Sequence, residues 1–293
     1  LIIDELTSFK TPTSKRTQII LQIKATRKIG LTGTLIANGA IDIFSQMAVL
    51  DIESMSVRQS RSFKWSPEFR EWRARHFRDV LKGAPVNFEK WVLMTPFKNL
   101  IKPYQKHIFT LKSEDYLEIP PVTYHKHDVE LSKDEMIQYR NLETNLMAEL
   151  GDDWVVIDEG ARFAKLQTLC NGFIYLPEGG VARGKKSSKL EAVADFVLSA
   201  VAENEQVLLL YAYIEEEVWL RELLKGVNIG GKNDLDKWNN REVDVLIAHP
   251  ASIGHGLNLH KSGARLSVWS SITPNFEYWA QANARLARQG QTR

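Results

Sequence analysis

Gln206-Val207-Leu208-Leu209-Leu210-Tyr211-Ala212-Tyr213 decides the fold class. An apolar run of this length without polar alternation reads as a strand buried on both faces, the pattern of a parallel sheet. Working outward, Glu215–Lys225 and Lys189–Val201 have helical spacing, and Val243–Ala248 and Leu266–Ser270 read as further strands. Phe276–Leu286 reads as a closing helix. Upstream, Phe173–Leu176 is a short strand, followed by a Gly-rich loop from Pro177 to Ser188. Lys133–Leu150, Trp65–Lys82, Ile41–Leu50 and Ser14–Lys24 read as helices, Pro67 suiting a first helical turn. Val122–Leu131 reads as extended and Ile29–Thr32 as a strand. Strands alternating with helices predict parallel α/β units. The chain opens in Leu1-Ile2-Ile3, a buried-strand pattern with no turn before it. This leads to the expectation that a segment precedes it in a longer protein.

The composition narrows the function classes. Of 293 residues, 44% are hydrophobic and 25% charged, ordinary for a globular chain and unlike disordered or fibrous ones. The length suits about two domains. A single cysteine, Cys170, excludes an intrachain disulfide and a cysteine-based zinc site. No apolar run approaches the roughly 20 residues of a membrane helix. Net charge is +2, unevenly placed. Glu53–Lys112 holds 13 Lys and Arg against 5 Asp and Glu, whereas Asp128–Gly160 holds 2 against 10. The basic third suggests a polyanion partner, beside the plainer reading of a solvated charged face. The charge switch and the Pro120-Pro121 pair predict a domain boundary there.

Three constellations carry chemistry. Ile2-Ile3-Asp4-Glu5 is a strand ending in two carboxylates, one suited to Mg²⁺ and one to polarising an attacking water. Thr32-Gly33-Thr34 follows a second strand, where small hydroxyls around a glycine allow a tight turn beside a phosphate. The plainer alternative is a Thr-capped turn into a helix. Gln281, Arg285 and Arg288 fall at i, i+4 and i+7, one face of a helix, where two guanidinium groups can reach a phosphoryl group. Two look-alikes are set aside. Gly179–Ser187 nearly spells a phosphate loop but has Lys186 in the hydroxyl position, so it reads as an exposed flexible loop. Val155–Glu159 mimics the first acidic strand without a Thr-Gly-Thr after it. In Arg58–Arg78 the interleaved aromatics read as core with arginines on the wet face. His125 and His127 read as a structural pair.

Taken together, these residues resemble the Swi/Snf family of superfamily-two helicase-like ATPases, most closely its phage and prophage branch. Asp4-Glu5 corresponds to motif II, and Thr32-Gly33-Thr34 with Asn38 to motif III. Leu117-x-Ile119-Pro120-Pro121 matches the junction between lobes, and Lys165–Gly172 and Ser188-Lys189-Leu190 match second-lobe segments. His249–Leu259 and Gln281–Gln291 correspond to motifs V and VI. Four features depart from the pattern. Leu6-Thr7 replaces Ala/Gly-His after Asp-Glu, Leu35 stands in place of proline, Ala284 stands where an acid often precedes the first motif VI arginine, and no motif I lies before Leu1.

The resemblance implies an α/β fold of two RecA-like parallel-sheet lobes, the first incomplete at its N-terminus: residues 1–118 and 119–293. It implies ATP and Mg²⁺ as cofactors, bound between lobes, with Asp4 on the metal and Glu5 activating water. Arg285 and Arg288 would act as fingers, with Gly254, Gly256 and Gln281 beside the nucleotide. Thr32, Gly33 and Thr34 would couple hydrolysis to lobe closure. Lys10, Asn38, Ser252 and Asn258 would line the path of a nucleic acid, expected to be double-stranded DNA, in the cytoplasm of a bacterial or phage-infected cell. The expected activity is DNA translocation by a DNA-dependent ATPase, the isolated chain being inactive without motif I. The alternatives are a catalytically dead DNA-binding or docking module of the same descent, and a metal-dependent nuclease, which lacks further ligands at recognisable spacing.

Overall fold

The computed structural model of the chain describes residues 1–36, 39–53, 66–80, 91–111, 115–117, 121–150, 153–156 (backbone only), 162–176, 178–253, 257–273 and 275–288. Two compact units form, Leu1–Lys112 with Asn275–Glu277, and Ser113–Pro274 with Tyr278–Arg293.

In the first unit, β1 (Ile2–Ile3), α1 (Lys15–Leu21) and β2 (Ile29–Gly30) make a parallel crossover. Ile2 lies opposite Ile29 and Ile3 opposite Gly30. The Ser14 hydroxyl starts α1 by accepting the Thr17 amide at 3.2 Å. Every residue of α2 (Ile43–Val49) is buried. α3 (Pro67–His76) begins on the Ser66 hydroxyl, which accepts the Phe69 amide at 3.1 Å, with Pro67 in its first turn. The helix expected through Lys82 stops at His76. There Phe77 opens β3 (Phe77–Asp79), antiparallel to β4 (Trp91–Leu93), a partner too distant in sequence for local periodicity to show. α4 (Phe97–Ile101) continues into a 3₁₀ segment, Lys102–His107. Phe44, Met47, Phe69, Trp72, Phe77, Leu100 and Tyr104 form one core cluster, so the aromatics of the basic stretch are core, as expected, over the described residues.

The second unit opens with α5 (Lys133–Asn145), which ends at Leu146 in left-handed conformation (φ 56°). The expected helix to Leu150 is therefore shorter. β5 (Met147–Leu150) turns back into β6 (Asp153–Val156) as an antiparallel hairpin. After α6 (Arg162–Cys170), β7 (Phe173–Tyr175) pairs with β8 (Val181–Arg183). The Gly-rich loop is thus a hairpin, with Gly179 and Gly180 at φ 98° and 90° in its turn. The Ser187 hydroxyl accepts the Leu190 amide at 3.1 Å and caps α7 (Ser188–Ala202), while Lys186 pairs with Glu191. Gly172 is required at its position: its φ is 82°, and a Cβ would come within 2.9 Å of Ser187 Cβ and the Trp219 ring.

β9 (Val207–Leu210), α8 (Ile214–Leu223), β10 (Ile229–Gly230), α9 (Leu235–Asn239), β11 (Val245–Ala248), α10 (Pro250–Ile253), β12 (Leu266–Trp269) and α11 (Phe276–Asn283) complete the chain. The first residues of α11 fall in the first unit. The sheet order is β10-β11-β9-β12, parallel throughout. This is the α/β class with parallel strands that the sequence predicts. All four side chains of β9 are fully buried. Val207 and Leu209 join a cluster with Leu190, Val197 and Leu220, whereas Leu208 and Leu210 join Trp238, Ile253 and Ala282 on the other side. Burial on both faces explains why this strand has no polar alternation.

Two polar nodes fix α7. Lys189 Nζ donates to Asn171 Oδ1 at 2.7 Å and to Ser271 Oγ at 3.0 Å, tying α7 to the α6–β7 junction and to the exit of β12. Burial pulls the Lys189 ammonium pKa down, against the opposing charge of Glu216. Glu135 closes a capping box with Ser132 and also accepts the Ser188 amide at 2.8 Å and the Ser188 hydroxyl. Burial would raise the Glu135 carboxyl, but hydrogen bonds from Ser188 and Ser132 outweigh it and hold the pKa below 4.5. Among the described residues, no helix is long and apolar enough to cross a membrane.

Two stability outcomes are expected. Leu209→Ala should cost about 2–5 kcal/mol in denaturant unfolding, because a fully buried central-strand position cannot collapse around the cavity. The stabilisation from Glu135 is complete above the ordinary carboxylate range and is lost as the pH falls through its lowered pKa. The stability gap between wild type and Glu135→Gln should therefore narrow between about pH 6 and about pH 3 in urea titrations.

Candidate functional site

Each unit assembles a set of the singled-out residues. In the first, the parallel crossover places the carboxyl ends of β1 and β2 side by side, so Asp4-Glu5 and Thr32 become neighbours although distant in sequence. The chain turns sharply at Glu5, whose backbone is left-handed (φ 50°, ψ 59°), a strained choice for a residue with a side chain. The turn is locked by Leu6 donating its amide to Leu31 O at 2.8 Å. Asp4 is exposed at the strand end, and its Oδ1 accepts the Glu5 amide at 3.0 Å. Among the described residues no group of three His, Cys, Asp or Glu could hold a metal by itself. The donors present fit a Mg²⁺ of the shared kind, held by one carboxylate together with phosphate oxygens.

The Thr-Gly-Thr turn is built differently from the expectation. Gly33 has no left-handed φ, and open space surrounds the position where a Cβ would stand. The shape comes from Thr32, whose hydroxyl donates to Thr34 O at 3.0 Å and accepts the Thr34 amide at 3.3 Å. It also lies 3.5 Å from Thr7 Oγ1. Lys10 Nζ is ion-paired with Glu277 at 3.0 Å, and Thr7 donates to the other oxygen of the same carboxylate at 2.7 Å.

In the second unit, α11 ends at Asn283, so Arg285 and Arg288 lie beyond the helix and do not share its face with Gln281. The Arg285 amide already bonds Ala282 O, an i−3 partner that tightens the last turn. Arg285 is buried, its Nη1 3.5 Å from Leu257 O. Arg288 Nη1 donates to Asn258 Oδ1 at 3.0 Å. These contacts bring the segments singled out as motifs V and VI together. Burial lowers the pKa of the neighbouring His260, and the charges of Arg288 and Lys261 lower it further. Asn38, Gly254 and Gly256 lie outside the described residues.

Ser252 lines a cavity of about 380 Å³ at the carboxyl ends of β9, β10 and β11. Arg221, Lys232 and His249 line it as well. Sequence reading missed Arg221 and Lys232, and placed His249 only at the head of motif V. Arg221 sits on α8, and Lys232 follows β10, whose two residues are too few for a periodic signal. The apolar strand before His249 was the available clue, since ligands of parallel sheets collect beyond strand carboxyl ends. Arg221 pairs with Glu217 at 2.9 Å, while Lys232, Asn233 and Ser252 are exposed on the rim.

The placement of Arg288 is measurable without any activity. Arg288→Gln should raise the His260 pKa toward 6.5, read from the imidazole shifts in an NMR titration; an unchanged value would mean Arg288 does not approach His260.

Comparison with known proteins gives the family. Residues 1–174 match the SNF2-related domain. Protein p41 of Acyrthosiphon pisum secondary endosymbiont phage 1 is 27% identical over 309 residues, covering 99% of this chain and 63% of that protein. The Arabidopsis thaliana SWI/SNF-related matrix-associated actin-dependent regulator of chromatin subfamily A member 3-like 1 is 25% identical over 143 residues, 49% of this chain and 14% of that protein. The chain thus spans less than two thirds of either relative. Among solved structures, the SWI2/SNF2 ATPase core of Sulfolobus solfataricus in complex with double-stranded DNA is 19% identical, covering 100% of this chain and 61% of that one, with a TM-score of 0.39. On the match to more than half of its length, the chain belongs to the SNF2-related domain family.

Proposed function

We propose that the chain is part of an ATP-dependent DNA translocase that hydrolyses ATP without needing to separate strands. The observation that carries this reading is the juxtaposition of Asp4-Glu5 and Thr32 at neighbouring strand ends in a chain of the SNF2-related family. In this reading residues 1–118 and 119–293 are the two RecA-like lobes. Bound Mg²⁺ and ATP supply a phosphoanhydride with its charge partly neutralised. Asp4 holds the metal from the end of β1. Glu5, presented by the left-handed turn, orients and polarises the attacking water. Arg285 and Arg288 stabilise charge developing on the phosphoryl oxygens, and Gln281, Gly254 and Gly256 line the nucleotide. Thr32, Gly33 and Thr34 pass the change at the phosphate to the lobes. Because the Thr32 hydroxyl already shapes its own turn, its part is to keep that turn rigid.

Nucleic acid would engage the cavity that Ser252 lines, with Lys232 facing phosphates. Lys10, Asn38 and Asn258 complete the path in this reading. Such contacts are independent of sequence and weaken with salt. A second reading keeps only this part, a DNA-binding module without turnover. It is favoured by the cavity being lined entirely within one unit.

The test separates the two. In the full-length protein, Glu5→Gln should abolish DNA-stimulated ATP hydrolysis while ATP binding persists. Arg288→Ala should slow hydrolysis by about 10³-fold or more and leave DNA binding intact. Retained turnover in the first variant removes Glu5 from its role, and wild-type protein that binds DNA without any hydrolysis selects the second reading.

A further inference from the structure

The first unit carries a charged face that none of the motifs above uses. From Lys90 to Ser113 the sequence contains five lysines and no Asp or Glu. Within it, α4 and the 3₁₀ segment that continues it are anchored on one side. Leu100 and Tyr104, at i and i+4, are buried in the core beside Phe69, Trp72 and Phe77. The Tyr104 hydroxyl accepts from Trp72 Nε1 at 3.1 Å and donates to Glu53 Oε1 at 2.8 Å. Burial, reinforced by the Glu53 contact, raises the pKa of this phenol, so it remains a neutral donor. The segment cannot roll without breaking these bonds.

Lys98, Lys102 and Lys106 alternate with those anchors, two residues from each, and all three are exposed. None has a carboxylate partner among the described residues. By contrast, Lys126, Lys186 and Arg265 each sit against a carboxylate, Asp128, Glu191 and Glu205. At helical rises of 1.5–2.0 Å per residue, the three lysines span about 14 Å, the run of roughly four nucleotides along one DNA strand. Exposed ammonium groups over that axial length, without carboxylate partners among the described residues, are complementary to a run of phosphates. Lysines, as point charges, impose no base preference there.

We infer that Lys98, Lys102 and Lys106 form a second nucleic-acid contact, a phosphate-tracking face for duplex DNA on the first unit, apart from the Ser252 cavity. It rests on the DNA-binding reading above. It adds grip without adding sequence selectivity.

The measurement is duplex DNA affinity against salt for the full-length protein. Each phosphate contact contributes about 0.9 to the slope of log K against log salt. Replacing all three lysines by Gln should lower the slope by about 2 to 3 and leave the far-ultraviolet spectrum unchanged. The single Lys102→Gln should lower it by about 1. Replacing Lys126, Lys186 and Arg265 by Gln removes the same net charge and should change the slope by less than about 1, because those charges are already paired. An unchanged slope in the triple variant, or an equal fall in the control, overturns the face while DNA binding by the wild type upholds the reading it rests on. Wild-type protein that does not bind duplex DNA overturns both.

Discussion

Parallel pairing of β9 on both edges is the constraint on which the second unit depends. A strand hydrogen-bonded to β11 and β12 and packed on both faces has no surface left for a polar side chain. Its residues must alternate between two cores, and the helices on each side must supply them. Polar groups can then appear only where the strands end. All four strands run the same way, so their carboxyl ends open on one rim. Ser252 and His249, which belong to the motif V segment, and Lys232 and Arg221, which belong to no motif singled out above, converge there for this reason.

The first unit applies the same rule with a shorter sheet. The crossover through α1 makes neighbours of two strand ends, and the abrupt turn at Glu5 keeps both carboxylates at the end of β1. Holding a residue with a side chain in left-handed conformation costs of order 1 kcal/mol. The Leu6–Leu31 hydrogen bond and the burial of Leu6 hold the turn in place. Backbone strain at a carboxylate pair is common where chemistry is done.

Much of this was legible in the sequence, for reasons of length and burial. Val207–Leu210 and Val245–Ala248 are fully buried, and their apolar runs declare them. The helices α1, α3, α5 and α7 began where Ser14, Ser66, Ser132 and Ser187 cap them. The misread element bounds share one cause, pairing between segments that local pattern does not report. Phe77–Asp79, Met147–Leu150 and Val181–Arg183 are strands only because each finds an antiparallel partner. The arginines failed the helical-face reading because the helix ends at Asn283, while Asn258 and Leu257, remote in sequence, receive their guanidinium groups. Gly33 was credited with a turn that the Thr32 hydroxyl makes.

Gly172 has an evolutionary consequence. It sits in a positive-φ turn with the Trp219 ring and Ser187 directly where a side chain would grow. Two independent penalties, conformational and steric, act on any replacement, and shrinking Trp219 relieves only one of them. Selection on packing alone would therefore keep this position invariant among relatives with this hairpin and this tryptophan. A ranking of positions by invariance would therefore single it out on packing grounds alone. In this fold an unchanging residue marks geometric necessity as readily as chemistry, and the two are separated by asking what a methyl group would strike.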